Sequence, residues 1–434
     1  MQNPRPRWLA FGLLTSAGAG VLGLTSIMSA AFAFGDDVAL ISPGAEGIGG
    51  TTGVSSEFTQ DVYDLYINPT QSPLPFPEQL TFPDYSPVAL DLPALDGLTD
   101  QQTIDEATTE LNTAITQTYA GDKIVDLSYS ESTIAATQEM IALDAEQGQA
   151  GVPSPDSLSF VMLGDLNNPN GGILERLSGL NPGIDYYTAT PSDTPYPTEI
   201  YTIQYDGVAD FPQYPTDIPA DLNALMGYTT AHLEYSTLTP AELATAVVEP
   251  TSPGYDGVTE YFMIPTQDLP LLEPLRDLPG IGPALADLIQ PDLRVLVDMG
   301  YGDGYADVAT PISFSTPDYN YSAIDADMAL GLQQGITAAE VDMGMLPTAD
   351  LPDAYPYLPY VPGDTTVPNP DLIGPGTASS LDSLQALSGL GTLSLSSDLT
   401  ALTTDLSGGW SQLGTEFASF GLDPSVLTSF FSLF

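Results

Sequence analysis

Residues 123–136, KIVDLSYSESTIAA, decide how the rest of the chain is read. An apolar, β-prone run from Lys123 to Leu127 gives way to a helix-prone one from Glu131 to Ala145, with Ile134, Met140 and Ile141 at helical intervals. Between them Ser128, Ser130 and Ser132 alternate with Tyr129 and Glu131. In one reading this is a strand–turn–helix that presents Ser130 at the centre of a G-x-S-x-G type elbow. The glycines of that pattern relieve the crowding of a sharp turn, and serine stands at both of their positions here. In the other reading Ser128 or Ser130 simply caps a helix. The stretch alone divides almost evenly between the two, so the flanking chain has to decide.

Strands and helices alternate on both sides of it. DVALIS (37–42) reads as a strand followed by the glycine-rich loop PGAEGIGGTTG (43–53). A helix capped by Ser55 is expected over 55–67, a short strand near Val88, and an amphipathic helix over 100–120 built on Ile104, Ala107, Leu111, Ala114 and Ile115. LSFVML (158–163) and EIYTIQY (199–205) read as strands, separated by a Pro/Gly-rich excursion, and 217–226 as a helix. This alternation predicts an α/β domain with a mostly parallel central sheet. Residues 241–297 mix apolar turns with prolines and are read as a lid or the wall of an acyl site, with plain core packing an equal alternative. A helical extension (313–345), a proline-rich linker (346–376) and a Leu/Ser/Gly-rich low-complexity tail (377–434) complete the expected organisation.

Composition narrows the function classes. The 57 acids against six bases give a net charge of −51, which excludes nucleic acid as a partner because phosphate binding needs clustered Lys and Arg. The acidity reads as a solvation device rather than a cation site, since no EF-hand spacing occurs. Without cysteine there is no disulfide framework, thiol nucleophile or thiolate metal site, and one histidine is too few for a familiar zinc hydrolase. No P-loop or dinucleotide fingerprint is present, so no cofactor is expected. A glycosidase needs a defined carboxylate pair, and no placement singles one out. At the N-terminus Arg5 and Arg7 precede a long apolar run and Ala31-Phe32-Ala33, the order of a secretory signal. Residues 1–33 are therefore expected to direct export, as a cleaved signal or as a membrane anchor, to the cell envelope or beyond.

The lone histidine turns the elbow reading into a test of order. A serine hydroxyl needs a base, and the α/β-hydrolase order along the chain is Ser, Asp, His. His232, in TTAHLEY, follows Ser130 and also follows the acids of YDGVADFP. Asp206 comes directly after a predicted strand and is the favoured acid; Asp210 is the alternative. The oxyanion donors would be the backbone N–H of Glu131 and those of the Gly44–Ala45 region.

Several stretches together resemble the PE-PPE domain, a serine-hydrolase family of mycobacteria and their relatives. They are VALISPGAEG, SYSES, FVMLGDLNNPNGGILER, IQYDGVADFPQYPTDIPADLNALMG, AHLEY and PDLRVLVDMGYGDGYADVATP, in the family's order over about residues 37–312. The resemblance implies an α/β-hydrolase fold and an esterase or lipase-like activity on ester or acyl-lipid substrates, with Ser130, Asp206 and His232 as the triad. As the alternative, it implies the acyl transfer between trehalose glycolipids that some cutinase-like envelope members carry out. Ser128 and Glu131 depart from the usual glycine and glutamine of the family's elbow, which leaves an acidic, non-catalytic envelope protein on a hydrolase scaffold as a further reading. The export segment is expected to join the hydrolase domain without an intervening helical PE or PPE module, and membrane or envelope association would run through that segment or the tail.

Overall fold

The computed structural model describes residues 37–44, 55–68, 85–93, 101–181, 183–302, 304–315, 319 and 321–352. The expected export segment, Ala45 and the loop that follows it, nearly all of the proline-rich linker and the whole tail lie outside these described residues. The elements are β1 (Val38–Ser42), α1 (Ser56–Val62), β2 (Ser86–Ala89), α2 (Gln101–Thr113), β3 (Ile124–Tyr129), α3 (Ser132–Ala145), β4 (Leu158–Leu163) and α4 (Ile173–Leu177). They continue with β5 (Thr198–Ile203), α5 (Ile218–Thr229), α6 (Pro240–Leu243), β6 (Val247–Val248), β7 (Thr259–Ile264), α7 (Glu273–Arg276), α8 (Gly282–Asp298) and α9 (Tyr321–Asp342). Ser55 does cap α1, its Oγ accepting the Phe58 N–H at 3.0 Å.

Seven strands form one sheet in the order β2-β1-β3-β4-β5-β7-β6, parallel throughout except for the short β6, which pairs antiparallel with β7. The central strands are buried along their length, which is why they read as apolar runs without alternation. Successive residues nonetheless serve different layers. Ile41, Leu127, Leu163 and Ile203 pack with Val62 and Tyr66 of the α1 region, whereas Leu40, Ile124, Phe160 and Ile200 belong with Leu111, Met140 and Leu143 of α2 and α3. Truncating one of these to alanine costs about 2–5 kcal/mol. Pro87, which cannot donate to a ladder, sits in the edge strand β2.

In the segment 241–297 the structure favours the core-packing alternative over a lid. Thr259–Ile264 is not a cover but a strand beside β5, in register from Thr198↔Thr259 to Ile203↔Ile264. Its run is short and set among the prolines and glycines of TSPGYDGVTEYFMIP, which hid the strand signal. Farther on, Ala286 and Val297 of α8 pack with Tyr205, Leu269 and Leu272, so this part of the segment is core. Beyond it, Ile324 of α9 packs on Val295 of α8. Among the described residues no helix is long and apolar enough to cross a membrane.

The parallel arrangement puts the carboxyl ends of β1, β3, β4 and β5, four consecutive neighbours, along one edge. Open α/β sheets bind their ligands there.

Candidate active site

At the end of β3 the chain turns sharply. Ser130 has φ 55°, the left-handed region that costs a non-glycine residue about 1–3 kcal/mol, and α3 starts two residues later. Hydrogen bonds hold the turn. Ser130 N–H donates to Leu163 O of β4 at 2.9 Å, while its carbonyl accepts from Thr133 N–H at 2.9 Å and from Thr133 Oγ1 at 2.6 Å. The two flanking serines are both buried and bonded. Ser128 Oγ donates to Asp126 Oδ2 at 2.9 Å; Ser132 Oγ accepts the Tyr129 N–H at 2.9 Å and lies 3.1 Å from the Ser42 carbonyl. Gly44, in the loop after β1, is pressed against the elbow. A Cβ there would stand 2.8 Å from Ser130 Cβ, so this position admits no side chain without a shift.

The histidine comes from the far end of α5. Asp217 caps that helix, its Oδ1 accepting the Ala220 N–H at 3.2 Å, and Pro219 sits in its first turn, where a missing N–H costs nothing. The helix ends at Thr229 and a short 3₁₀ turn, Ala231–Leu233, presents His232. Its Nε2 lies 2.7 Å from Ser130 Oγ and its Nδ1 lies 2.8 Å from Asp206 Oδ2. A carboxylate only accepts, so Nδ1 carries the proton and Nε2 is left to accept the serine O–H. Asp206 is fully buried, and its Oδ1 accepts the Val208 N–H at 2.8 Å in an Asx turn.

Rings enclose the imidazole. Tyr129 stacks on it at 5.4 Å between centroids and Tyr228 at 6.0 Å, while Tyr235 meets it edge-on at 6.2 Å. Gly164, just past β4 with φ 58°, leaves the room this needs. A Cβ on it would come within 3.1 Å of His232 Cε1 and 3.3 Å of Asp206 Oδ2.

The structure thus brings Ser130 and Asp206 each within hydrogen-bonding reach of His232, on opposite ring nitrogens. It does not bring Asp210 to the histidine. The Asp210 carboxyl instead accepts the Tyr205 N–H at 2.7 Å, and burial, only partly offset by that bond and by Arg176, pushes its pKa up to about 7. Glu131 directly follows Ser130, with helical backbone angles and its side chain mostly buried; Gly44 lies beside the elbow, and Ala45 is outside the described residues. Among the described residues no group of three or more His, Asp or Glu side chains is placed to hold a metal ion. Sequence reasoning passed over Tyr129, Tyr235 and Gly164. Tyr235 carried one usable signal, its position three residues after the lone histidine.

The PE-PPE domain model matches residues 75–302, slightly more than half of the chain. The chain belongs to the PE-PPE domain family. Its relatives include PE family protein PE3 of Mycobacterium tuberculosis, 48% identical over 68% of this chain and 62% of that protein. Esterase PE16 of the same organism is 42% identical over 69% of this chain and 55% of its own length. SL1278 acyltransferase Chp1, also from that organism, is 31% identical over 40% of this chain and 44% of its own. The chain therefore spans about three fifths of the length of the first two relatives. No solved structure matches it. Within this PE-PPE domain the two elbow departures have local accounts. Ser128 has Asp126 as its partner, and Glu131 is the N-cap residue of α3, with helical backbone angles.

Proposed function

We propose that the chain is an exported serine enzyme acting on carboxylic esters, with Ser130 as nucleophile, His232 as general base and then acid, and Asp206 as the group that orients the imidazole. The observation that carries this reading is the 2.7 Å contact from Ser130 Oγ to His232 Nε2, backed by the 2.8 Å contact from Nδ1 to a buried carboxylate. The proton of Ser130 passes to Nε2 as Oγ bonds to the ester carbonyl carbon. The negative charge that develops on the carbonyl oxygen meets the backbone N–H of Glu131 and of the Gly44–Ala45 region. Collapse of the tetrahedral intermediate breaks the bond to the alkoxy oxygen, which leaves with the proton from Nε2. Water, deprotonated by His232, then releases the acid from the acyl-enzyme and restores Ser130. The esterase named among the relatives supports ester chemistry at this site.

Similarity to an acyltransferase favours a second reading, in which a sugar hydroxyl replaces water in the last step. Product analysis after incubation with an acyl-trehalose separates the two: free fatty acid supports hydrolysis, and a disproportionated glycolipid supports transfer. For the site itself, Ser130→Ala should lower p-nitrophenyl ester turnover by about a million-fold and abolish fluorophosphonate labelling. Unchanged labelling of that variant would sink the assignment. Export is read from Arg5, Arg7 and the apolar run behind them. A reporter fused after residue 40 that stays in the cytoplasm would overturn that part.

A further inference from the structure

We propose that Tyr235 and Tyr129 are positioning residues for His232, holding the two groups on which its orientation depends: the Asp206 carboxylate and the backbone carbonyl of His232 itself. This rests on the reading of Ser130, His232 and Asp206 given above.

Tyr235 is wholly buried, and its hydroxyl has a forced direction. It accepts the N–H of Ile203, the last residue of β5, at 2.9 Å, which leaves its own hydrogen to go to Asp206 Oδ2 at 2.8 Å. That is the same oxygen that accepts the imidazole Nδ1–H. With Val208 N–H on Oδ1, both carboxylate oxygens are held by groups other than the histidine, and rotation of the carboxylate plane is blocked. Take Tyr235 away and, apart from the imidazole it is meant to orient, one backbone N–H is left to hold the carboxylate. Burial first, then the adjoining Asp206 charge, keeps the phenol protonated far above neutral pH, so it remains a donor. The tyrosine is itself braced, its carbonyl accepting Tyr66 Oη–H at 3.0 Å.

Tyr129 acts on the other support. Its hydroxyl donates to His232 O at 2.6 Å while its ring lies on the imidazole. Because Tyr129 immediately precedes Ser130, this bond ties the turn carrying the serine to the turn carrying the base, across more than a hundred residues of chain. The two tyrosine rings touch, 5.6 Å between centroids, so the pair forms one wall around the ring. A base misplaced by an ångström loses about a hundredfold in rate, which is the error such a wall prevents.

The test exploits a property of the composition: the chain has one histidine, so selective ¹⁵N-histidine labelling of the full chain yields the signals of a single imidazole. In Tyr235→Phe the Nδ1–H proton should move upfield and exchange faster with solvent. Ester kcat should fall about 10- to 100-fold with KM little changed, the size expected for one buried charge-assisted hydrogen bond. Tyr129→Phe, which keeps the ring and removes the hydroxyl, should show faster Nδ1–H exchange and a kcat loss of about tenfold. Should Tyr235→Phe fail to fold because the Ile203 N–H is left buried and unpaired, Tyr129→Phe decides by the same signal. An Nδ1–H resonance with wild-type position and exchange in the Phe variants would overturn the proposal, leaving the tyrosines as core packing. The functional reading fails separately, by absence of fluorophosphonate labelling at Ser130 in the wild type, and the imidazole signal reads the His–Asp geometry in either case.

Discussion

Ser130 and Tyr205 are the two non-glycine residues among those described whose backbone enters the left-handed region, at φ 55° and 67°. Each lies just past the end of a parallel strand, β3 or β5, and each delivers a member of the site: the serine itself in one case, the aspartate directly after it in the other. A buried carboxyl sits beneath each turn. Asp126 receives the Ser128 hydroxyl under the elbow, and Asp210 receives the Tyr205 N–H under the acid loop. Burial raises both, to about 7 in each case. The difference lies in what pays for the strain. The elbow is held by near neighbours, chiefly Thr133 three residues on and Leu163 on the next strand. Tyr205 is held from far away: its hydroxyl donates to Asp298 at 2.6 Å and receives Arg294 Nη1 at 3.1 Å, both from α8. The serine turn is thus held through its own backbone and the neighbouring strand, whereas Tyr205 adds to its local bond to Asp210 a pair of side-chain bonds with α8.

That contrast can be broken or sharpened by substitution. The largest effect should come from exchanging the two acids that follow β5. Asp206→Asn keeps the shape and loses the carboxylate, so kcat should drop by about 10⁴-fold with little change in thermal stability. Asp210→Ala should do the reverse, costing about 1–3 kcal/mol of stability by leaving the Tyr205 N–H unpaired, and reducing activity far less. Unfolding curves and ester kinetics on the two variants suffice, and equal activity losses would show that the two acids had been wrongly separated. Next in size is Tyr205→Phe, expected to cost about 1–2 kcal/mol through the lost bonds to Asp298 and Arg294, with a matching rise in urea sensitivity.

The buried carboxyls set a pH dependence. Asp126, Glu139 and Asp210 have folded pKa values raised to about 7, mainly by burial, above the ordinary carboxylate range. The folded state then binds more protons than the unfolded state between about pH 4 and 7. Stability is therefore fully present at acid pH and is lost as pH rises through about 7. The melting temperature should be higher at pH 5 than at pH 8, and Asp126→Asn should flatten part of that slope; a steeper slope in the variant would contradict the assignment. The smallest effect is expected at Ser128→Gly, which restores the family's usual elbow residue but leaves Asp126 without its hydroxyl donor. Stability should fall by about 0.5–1.5 kcal/mol while activity stays within a few-fold of wild type. A large gain in activity would mean that Ser128 hinders the turn.

How far the site was legible in the sequence follows the same divide. The strands β1, β3, β4 and β5 and the helices α2, α3 and α5 announced themselves through apolar runs and helical spacing, because those patterns record burial that each segment experiences whatever its neighbours. β7 was masked by its surroundings instead: its short run Thr259–Ile264 lies in a stretch crowded with prolines and glycines, between Pro253-Gly254 and Pro265. The order of Ser130, Asp206 and His232 along the chain was readable because only one histidine was available to fill the role. The partners of these residues were not. Tyr235 looks like any of 22 tyrosines until the fold brings its hydroxyl between β5 and Asp206, and Gly164 like any of 40 glycines until His232 stands over it.

By itself, then, the sequence determined the alternating α/β plan and the set of residue types able to do the chemistry, since periodicity and chain order are properties of a one-dimensional string. Which acid faces the histidine was favoured by chain position, Asp206 coming directly after a strand, and was decided by the tertiary structure. Asp206 and Asp210 are four residues apart and chemically identical, and what separates them is direction: one carboxylate turned toward the imidazole and Tyr235, the other turned back onto its own strand's last peptide. The two directions diverge around the left-handed residue Tyr205, whose N–H goes to Asp210 and whose hydroxyl is bonded to a helix about ninety residues on.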